Sequence, residues 1–454
     1  MIINDLIIKQ AQNNPHKLFC NIDNQSISYL LFNDYVEQMQ IIIRSAVKSE
    51  IKIGLNFNKK IFLLSSIIAC NREKAIPVVL PSLENHVPNF DYKKASGFDF
   101  ELNDNNCIVQ DKKEIMPKSY QYEGNASQCI LFSSGTEGFP KAVELSFSNI
   151  YYSATGWNHV LDFSKNSSYL NVLPLHHVSG LSIFFRSIYC DFSVYYKKYS
   201  SLNILRDIDK TKADYLSVVP KILYDIMKNS NGILMLSKLK LLIIGGDAIN
   251  KDMFDYLNKS KINSYVSYGM TETASGIAGY FIKNQSFFDI NYLGNPHRHV
   301  KIKLSDSKKI IIKSKMVFKN YVGESYNDNF FMTNDIGEIK NNKVFYKSRG
   351  GEMIVSGGEN INLLTIKNAL SEWKSSFRLI VVIYNDLEWG EIPIVVYKET
   401  NKDQLIENLK QHCQNILPKF MVPKHFIGLD VIPLLSNKKP NLHLINDIIK
   451  NHLS

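Results

Sequence analysis

Residues 128–141 read QCILFSSGTEGFPK. The apolar start predicts a buried strand, and the glycines, hydroxyl residues and lysine that follow predict a loop. Glycine lets backbone N–H groups come close to a ligand, hydroxyls donate hydrogen bonds, and lysine adds a positive charge. The loop is therefore predicted to hold a polyphosphate, with an ordinary Gly/Ser/Pro turn as the alternative. It is not a Walker A loop, because no GK[ST] follows at the required spacing.

The rest of the chain alternates short apolar runs with amphipathic segments. We expect an N-terminal amphipathic helix at MIINDLIIKQ, a helix opening at 142–150 (AVELSFSNI), and helices at LNILRDIDKT and DMFDYLNKS. Strands that alternate with helices indicate an α/β fold with largely parallel sheets. The strands are predicted within residues 128–134, 169–175, 213–220, 239–246 and 262–269.

The pattern changes towards the C-terminus. Residues 300–323 alternate apolar and charged residues, which predicts an exposed antiparallel β ribbon. After Arg349 come two glycines, a second small βα pattern and a helix at DQLIENLKQHCQNIL (403–417). We therefore predict a large domain over 1–349 and a small α+β lid over 350–454.

Composition limits the class of protein. The 454 residues are 45% hydrophobic and 21% charged, with a net charge of +10, as in globular proteins of more than one domain. The six cysteines form no CxxC pair, which predicts a reducing cytoplasmic setting without zinc or disulfides. No apolar run is long enough to predict a transmembrane helix, the stretch MIINDLIIKQ is not expected to act as a secretory signal, and there is no arginine-rich tract and no zinc-finger or RRM signature. We therefore expect neither a membrane nor a nucleic-acid partner.

Nine further stretches, taken together and in order, give the chain a family resemblance. SSGTEGFPK resembles the phosphate-binding signature of the adenylate-forming superfamily, which includes acyl- and aryl-CoA ligases, luciferases and peptide-synthetase adenylation domains. The resemblance covers essentially the whole chain and implies a large α/β domain with a β-barrel-like part and a mobile C-terminal lid. The other stretches that carry it are SISYLLFNDYV (26–36), LNVLPLHHVSGLSIFFRS (170–187), LLIIGGDAI (241–249), SYGMTETAS (267–275), LGNPHRHVKIKL (293–304), FFMTNDIGEI (330–339), KSRGGEMIVSGGENI (347–361), WGEIPIVVY (389–397) and VIPLLSNKKPNLHL (431–444).

The resemblance implies a two-step reaction. A carboxylate attacks ATP to give acyl-AMP and pyrophosphate, and a thiol then displaces AMP. The implied cofactors are ATP, Mg²⁺ and coenzyme A, and the substrate is a small carboxylic acid. Two alternative functions stay open: an enzyme that transfers the acyl group to a carrier-protein phosphopantetheine, and a nucleotide-binding protein without catalysis. The oligomeric state also stays open, with a homodimer as one option because some members of the family dimerise.

The resemblance also implies site residues. Tyr268 is expected to stack on adenine, Asp335 to accept the ribose hydroxyls, Glu272 to hold Mg²⁺, and Lys439 to act on the reacting carboxylate, although Lys438 is an alternative to Lys439. The full expectation is as follows: catalytic residues Lys439, Thr271, Glu272 and His177; ATP-binding residues Ser133, Ser134, Gly135, Thr136, Lys141, Gly246, Asp247, Ala248, Tyr268, Gly269, Asp335 and Arg349; acyl-pocket residues His177, Ser179, Gly245 and Met270; hinge Gly351; coenzyme A tunnel Gly357 and Gly358; metal ligand Glu272.

HHVSGLSIFFRS (176–187) resembles the corresponding stretch of o-succinylbenzoate–CoA ligases of menaquinone synthesis. This gives a preference for aromatic acids and places Ser182 and Arg186 at the acyl pocket or its supporting shell. A buried arginine needs a partner, and an internal acid is expected ahead of a substrate carboxylate. His177 is expected to gate the acyl and thiol sites, with a core histidine as the alternative.

The sequence departs from the family pattern mostly near its C-terminus. Gly351 replaces the usual Asp or Lys hinge, and glycine tolerates the dihedral changes that a hinge needs. Asn334 replaces the glycine before Asp335, and Pro440 follows Lys439 in place of an aliphatic residue. These changes suggest a specialised enzyme of secondary metabolism.

Overall fold

The structure, a computed structural model, describes residues 3–46, 51–82, 86, 90–107, 123–133, 140–324, 330–349, 353–356, 359–373, 379–386, 390–398, 403–435 and 439–453. Its strands are β1 (Leu18–Ile22), β2 (Gln25–Ser28), β3 (Lys52–Asn56), β4 (Ile76–Val79), β5 (Phe100–Asn103), β6 (Ser127–Ser133), β7 (Lys141–Ser146), β8 (Ser168–Asn171), β9 (Ser193–Tyr196), β10 (Tyr215–Val218), β11 (Leu241–Gly245), β12 (Ser264–Met270), β13 (Ser275–Phe281), β14 (Tyr292–Pro296), β15 (Lys301–Leu304), β16 (Lys309–Lys313), β17 (Asn320–Tyr321), β18 (Phe330–Lys340), β19 (Lys343–Arg349), β20 (Met353–Ser356), β21 (Glu359–Asn362), β22 (Leu379–Asp386), β23 (Gly390–Lys398) and β24 (His425–Leu429).

The helices lie between these strands along the chain. They are α1 (Ile3–Asn13), α2 (Tyr29–Ala46), α3 (Lys60–Arg72), α4 (Tyr92–Ser96), α5 (Phe147–Leu161), α6 (Val178–Cys190), α7 (Ile204–Thr211), α8 (Pro220–Met227), α9 (Gly232–Leu236), α10 (Lys251–Lys259), α11 (Leu363–Glu372), α12 (Asp403–Ile416) and α13 (Leu442–Leu453). Within the described part of the chain, none is long and apolar enough to cross a membrane.

Two sheets form the large N-terminal part. One has the strand order β15-β16-β18-β19-β14-β13-β12-β11-β10-β8-β9-β1-β2, and the other β17-β7-β6-β4-β3-β5. The run β12-β11-β10-β8-β9-β1 is parallel. Helices cover these strands, which explains why their side chains are apolar. For example, apolar residues of α8 and α10 pack against Leu242 and Ile244 of β11. The α/β fold expected from the sequence is confirmed.

The five strands predicted from apolar runs are confirmed as β6, β8, β10, β11 and β12, and the two predicted helices between them as α7 and α10. Two local predictions were wrong. Residues 141–146 form strand β7, which pairs with β6, so the helix opens only at Phe147. A local pattern could not show this, because β7 contains the buried Glu144.

The predicted ribbon over 300–323 is also shorter than expected. Strands β15 and β16 pair antiparallel up to Lys313, but Met316, Val317 and Phe318 are buried. Strand β17 then leaves the ribbon and pairs with β7 in the other sheet. This crossing brings residues near 320 to the strand that follows the glycine-rich loop.

The C-terminal residues build a sheet of their own. Its order is β21-β20-β23-β22, with β24 parallel to β23. One apolar cluster on it includes Ile366 and Cys413, and the other includes Ile394 and Ile445. Every member of both clusters follows residue 350. The domain boundary at 349–351 stays a proposal.

Candidate active site

The carboxyl ends of β11 and β12 lie side by side, since Gly245 is opposite Ser267 in the parallel register. In open α/β sheets, ligands bind at such ends. Gly246 follows with φ of 86°, a conformation that glycine adopts without strain. The Asp247 side chain then accepts a hydrogen bond from the Ala248 amide at 2.9 Å. The predicted adenine turn thus sits directly beside the Tyr268 strand.

Strand β12 ends in a tight reversal. Gly269 lies so close to β13 that a Cβ there would be 2.3 Å from the Ser275 carbonyl oxygen, so only glycine fits. Thr271–Thr273 form one 3₁₀ turn, and Met270 pairs with Ser275 on the return strand. The reversal places Thr271 and Glu272 at the end of the sheet.

Tyr268 and Asp335 are joined directly. The Tyr268 hydroxyl donates to Asp335 Oδ2 at 2.6 Å, and Asp335 is 5% exposed. The Asp335 amide donates to Thr333 Oγ1 at 3.0 Å, while Arg349 lies opposite Asp335 on β19. The structure therefore brings the predicted adenine and ribose residues together.

The glycine-rich loop has both of its ends defined. Ser133 and Lys141 are opposite one another on β6 and β7. The Lys141 ammonium lies 5.3 Å from the centre of the Tyr321 ring, and the Tyr321 hydroxyl donates to Glu272 Oε1 at 2.9 Å. Sequence reasoning missed Tyr321, because this residue is distant in the chain from both partners.

Glu272 is 9% exposed, and its carboxylate suits a hard cation. Oε1 accepts from Tyr321, and Oε2 has no hydrogen bond to any described residue. No group of three or more His, Cys, Asp or Glu residues in the described part of the chain could hold a metal alone. Mg²⁺ typically takes one or two carboxylates together with substrate phosphates and water, so Glu272 fits that mode of binding.

His176 and His177 stand before α6 with ring centres 4.3 Å apart. Burial, with a contribution from His86, lowers the pKa of His176 to about 4. Burial likewise lowers the pKa of His177 well below its ordinary value, helped by His176 and by Lys439. Lys439 therefore lies near His177, and both rings are neutral at pH 7.

Arg186 on α6 contacts Ser275, at the end of the Met270–Ser275 reversal. It is 3% exposed, its Cζ is 4.6 Å from the centre of the Trp157 ring, and its Nη2 makes long contacts of 3.4 Å to Ser182 Oγ and 3.5 Å to Ser275 Oγ. The internal acid expected as its partner is not found: the described residues give Arg186 no ion pair, and its Nε has no hydrogen-bond partner. Ser179 is exposed at the start of α6.

Several predicted residues lie outside the described residues. These are Ser134, Gly135 and Thr136 of the loop, the hinge Gly351, the tunnel residues Gly357 and Gly358, the alternative lysine Lys438, and the side chain of Arg349.

The fold and this arrangement define an adenylate-forming enzyme. The AMP-binding enzyme family model matches residues 90–322. A 2-succinylbenzoate–CoA ligase from Staphylococcus epidermidis is 30% identical over 357 residues, covering 75% of this chain and 73% of the relative. The chain therefore belongs to the AMP-binding enzyme family.

Two solved structures of o-succinylbenzoate–CoA synthetase from Bacillus subtilis have the same fold. The complex with the acyl-adenylate intermediate has a TM-score of 0.83 at 21% identity, covering 97% of this chain and 98% of the other. The complex with ATP and magnesium has a TM-score of 0.81 at 21% identity, covering 96% and 98%.

Proposed function

We propose that this chain joins an aromatic acid that bears a second carboxylate, with 2-succinylbenzoate as the best candidate, to coenzyme A. The enzyme is an ATP-dependent, AMP-forming acid–CoA ligase. One carboxylate of the acid attacks the α-phosphate of ATP, and pyrophosphate leaves. The thiol of coenzyme A then attacks the acyl carbon of the acyl-AMP, and AMP leaves.

The first step needs cations, because a carboxylate and a phosphate repel one another. Lys439, near His177, is proposed to meet the attacking carboxylate and the α-phosphate. Mg²⁺, held by Glu272, neutralises phosphate charge when it is bound. Tyr268 and Asp335 are proposed to fix the nucleoside, and Ser133 and Lys141 the phosphates.

The guanidinium of Arg186, which has no carboxylate partner among the described residues, carries the substrate proposal. A buried charge without an acid partner is costly, and the contacts that Arg186 does make are with neutral groups: the Ser182 and Ser275 hydroxyls, the Trp157 ring and the Tyr169 side chain. Burial lowers the pKa of Arg186, but a guanidinium remains charged at neutral pH. A dicarboxylate substrate supplies the missing acid, because its second carboxylate remains free when the first is adenylated.

The test compares 2-succinylbenzoate with benzoate, which lacks the second carboxylate. We expect kcat/KM to favour 2-succinylbenzoate by about 100-fold, since a hydrogen-bonded charge pair contributes about 1.5–3 kcal/mol. Arg186→Met should remove most of that preference. Arg206→Met, at an exposed arginine of α7, is the matched control. Equal use of both acids by the unmodified enzyme would contradict this substrate.

Three finer points remain predictions from the sequence. Mass spectrometry of the acyl product tests whether a carrier protein accepts the acyl group in place of coenzyme A. A homodimer and a cytoplasmic setting are testable by light scattering and by cell fractionation.

A further inference from the structure

We propose that Tyr321 is a positioning residue that couples the metal-binding carboxylate of Glu272 to Lys141 at the end of the phosphate loop. The inference rests on the proposed function for the role of Mg²⁺ and ATP. Measurements of ATP binding test it without any measurement of catalysis.

The contacts of Tyr321 reach two parts of the site at once. Its hydroxyl donates to Glu272 Oε1 at 2.9 Å, and its ring face lies 5.3 Å from the Lys141 ammonium. The first contact fixes one carboxylate oxygen and leaves Oε2 to face a cation. The second is a cation–π contact, which holds the lysine at the end of the loop.

The backbone around Tyr321 is anchored on both sides. Tyr321 lies opposite Val143 on β7, and the next amide, that of Val322, donates to the Ala142 carbonyl at 2.9 Å. On the other side, the Phe318 amide donates to the Glu272 carbonyl at 2.8 Å. The segment from Phe318 to Val322 therefore bridges the strand after the phosphate loop and the turn that bears Glu272.

A polar network around the buried carboxylate of Glu144 fixes β17 in this position. Glu144 on β7 is 7% exposed and accepts hydrogen bonds from Lys319 Nζ and Asn320 Nδ2, both at 3.2 Å. Burial raises the pKa of Glu144, but hydrogen bonds from Ser127 and Lys319 outweigh it, and the pKa lies below its ordinary value. Glu144 is thus an ionised anchor, and Tyr321 has little freedom to move away from Glu272.

The test measures ATP binding by calorimetry, with Mg²⁺ and separately with EDTA. Tyr321→Phe keeps the ring and removes the hydroxyl, so Mg²⁺-dependent ATP binding should weaken about tenfold while binding in EDTA stays unchanged. Tyr321→Leu removes the ring as well and should weaken binding in both conditions. Tyr215→Phe, which loses a hydroxyl hydrogen bond to the Leu161 carbonyl, is the matched control.

A double-mutant cycle with Glu272→Gln gives a second measurement. If Tyr321 acts through Glu272, adding Tyr321→Phe to Glu272→Gln should change Mg²⁺-dependent binding less than twofold. Equal weakening of Tyr321→Phe with and without Mg²⁺, or no weakening in either, would overturn the proposal. An enzyme that binds Mg²⁺ and ATP in this way but forms no acyl-AMP would overturn the proposed function and leave the role of Tyr321 intact.

Discussion

The hydroxyl of Tyr268 lies 2.6 Å from Asp335 Oδ2 and donates to it. The two residues are 67 positions apart, on strands β12 and β18. One hydrogen bond therefore couples the aromatic ring proposed to stack on adenine with the carboxylate proposed to bind the ribose. This hydrogen bond is expected to hold the two sides of the proposed nucleoside pocket together.

Removing the charge of Asp335 should weaken ATP binding. Asp335→Asn replaces an ionised acceptor that two ribose hydroxyls would use, so the Kd for ATP should rise about 10- to 100-fold. Tyr268→Phe keeps the ring and should have a smaller effect. Calorimetric titration checks both variants, with Asp306→Asn on an exposed turn as the control. An unchanged Kd for Asp335→Asn would refute its role.

Lys439 should contribute to the rate of acyl-AMP formation much more than to the affinity for ATP. Lys439→Ala should reduce acyl-AMP formation about 10³-fold, since removing one positioned donor at developing charge costs about that much, while the Kd for ATP changes little. Pyrophosphate release measures the first quantity and calorimetry the second. Lys450→Ala, at an exposed lysine of α13, should behave as the unmodified enzyme. Normal pyrophosphate release from Lys439→Ala would move the catalytic role elsewhere, with Lys438 as the next residue to substitute.

Arg186 should contribute to substrate binding but not to the stability of the folded protein. Because the guanidinium is buried without an acid among the described residues, Arg186→Met should leave the free energy of unfolding unchanged or raise it by about 1 kcal/mol. The same variant should lose affinity for 2-succinylbenzoate, and the acid should raise the Tm of the unmodified enzyme alone. Thermal melts with and without the acid measure both effects. A large loss of Tm in the absence of substrate would show that Arg186 is a structural residue.

His297 should make the protein less stable in mild acid. Burial and the neighbouring Arg186 lower the pKa of His297 to about 3, and the ring accepts or donates a hydrogen bond at 2.7 Å with the Tyr265 hydroxyl. Between pH 7 and pH 5 the unfolded chain takes up a proton that the folded chain does not. This ring alone should therefore cost about 2 kcal/mol of stability as the pH falls.

Urea unfolding at pH 7 and pH 5 measures that change. His297→Asn cannot titrate, so its loss of stability between the two pH values should be smaller than that of the unmodified protein by about 2 kcal/mol. An identical loss in both proteins would mean that the pKa of His297 is the same in the folded and unfolded chains, which would contradict the effect of burial. The comparison cancels the other titrating groups, which the two proteins share.

The parallel strands could be predicted from the sequence because each is a short apolar run between turn residues. Strand β7 could not, since it contains the charged Glu144, and two of the side chains that satisfy this buried carboxylate, Lys319 and Asn320, reach it from 175 and 176 positions away. Contacts between residues far apart in the chain likewise could not be predicted for the site. Motif order placed Tyr268, Glu272 and Asp335 in one site, and the structure brings Tyr268 and Asp335 into contact. The link from Tyr321 to Glu272 depends on a crossing between two sheets, which no local pattern encodes.

The acid partner of Arg186 could not be predicted from the sequence for a different reason. A buried arginine implies a partner, but the sequence does not say whether the protein or the substrate supplies it. The structure places Ser182 and Ser275 near the guanidinium and no described carboxylate within ion-pair distance. A substrate with a second carboxylate would supply that partner.

The most direct test is mass spectrometry of the products formed from 2-succinylbenzoate, ATP and Mg²⁺, with and without coenzyme A. We predict acyl-AMP in the absence of coenzyme A, and the coenzyme A thioester together with AMP in its presence. Acyl-AMP that accumulates whether or not coenzyme A is present would contradict the ligase reaction and point to a carrier-protein acceptor. The absence of both products would contradict 2-succinylbenzoate as the substrate.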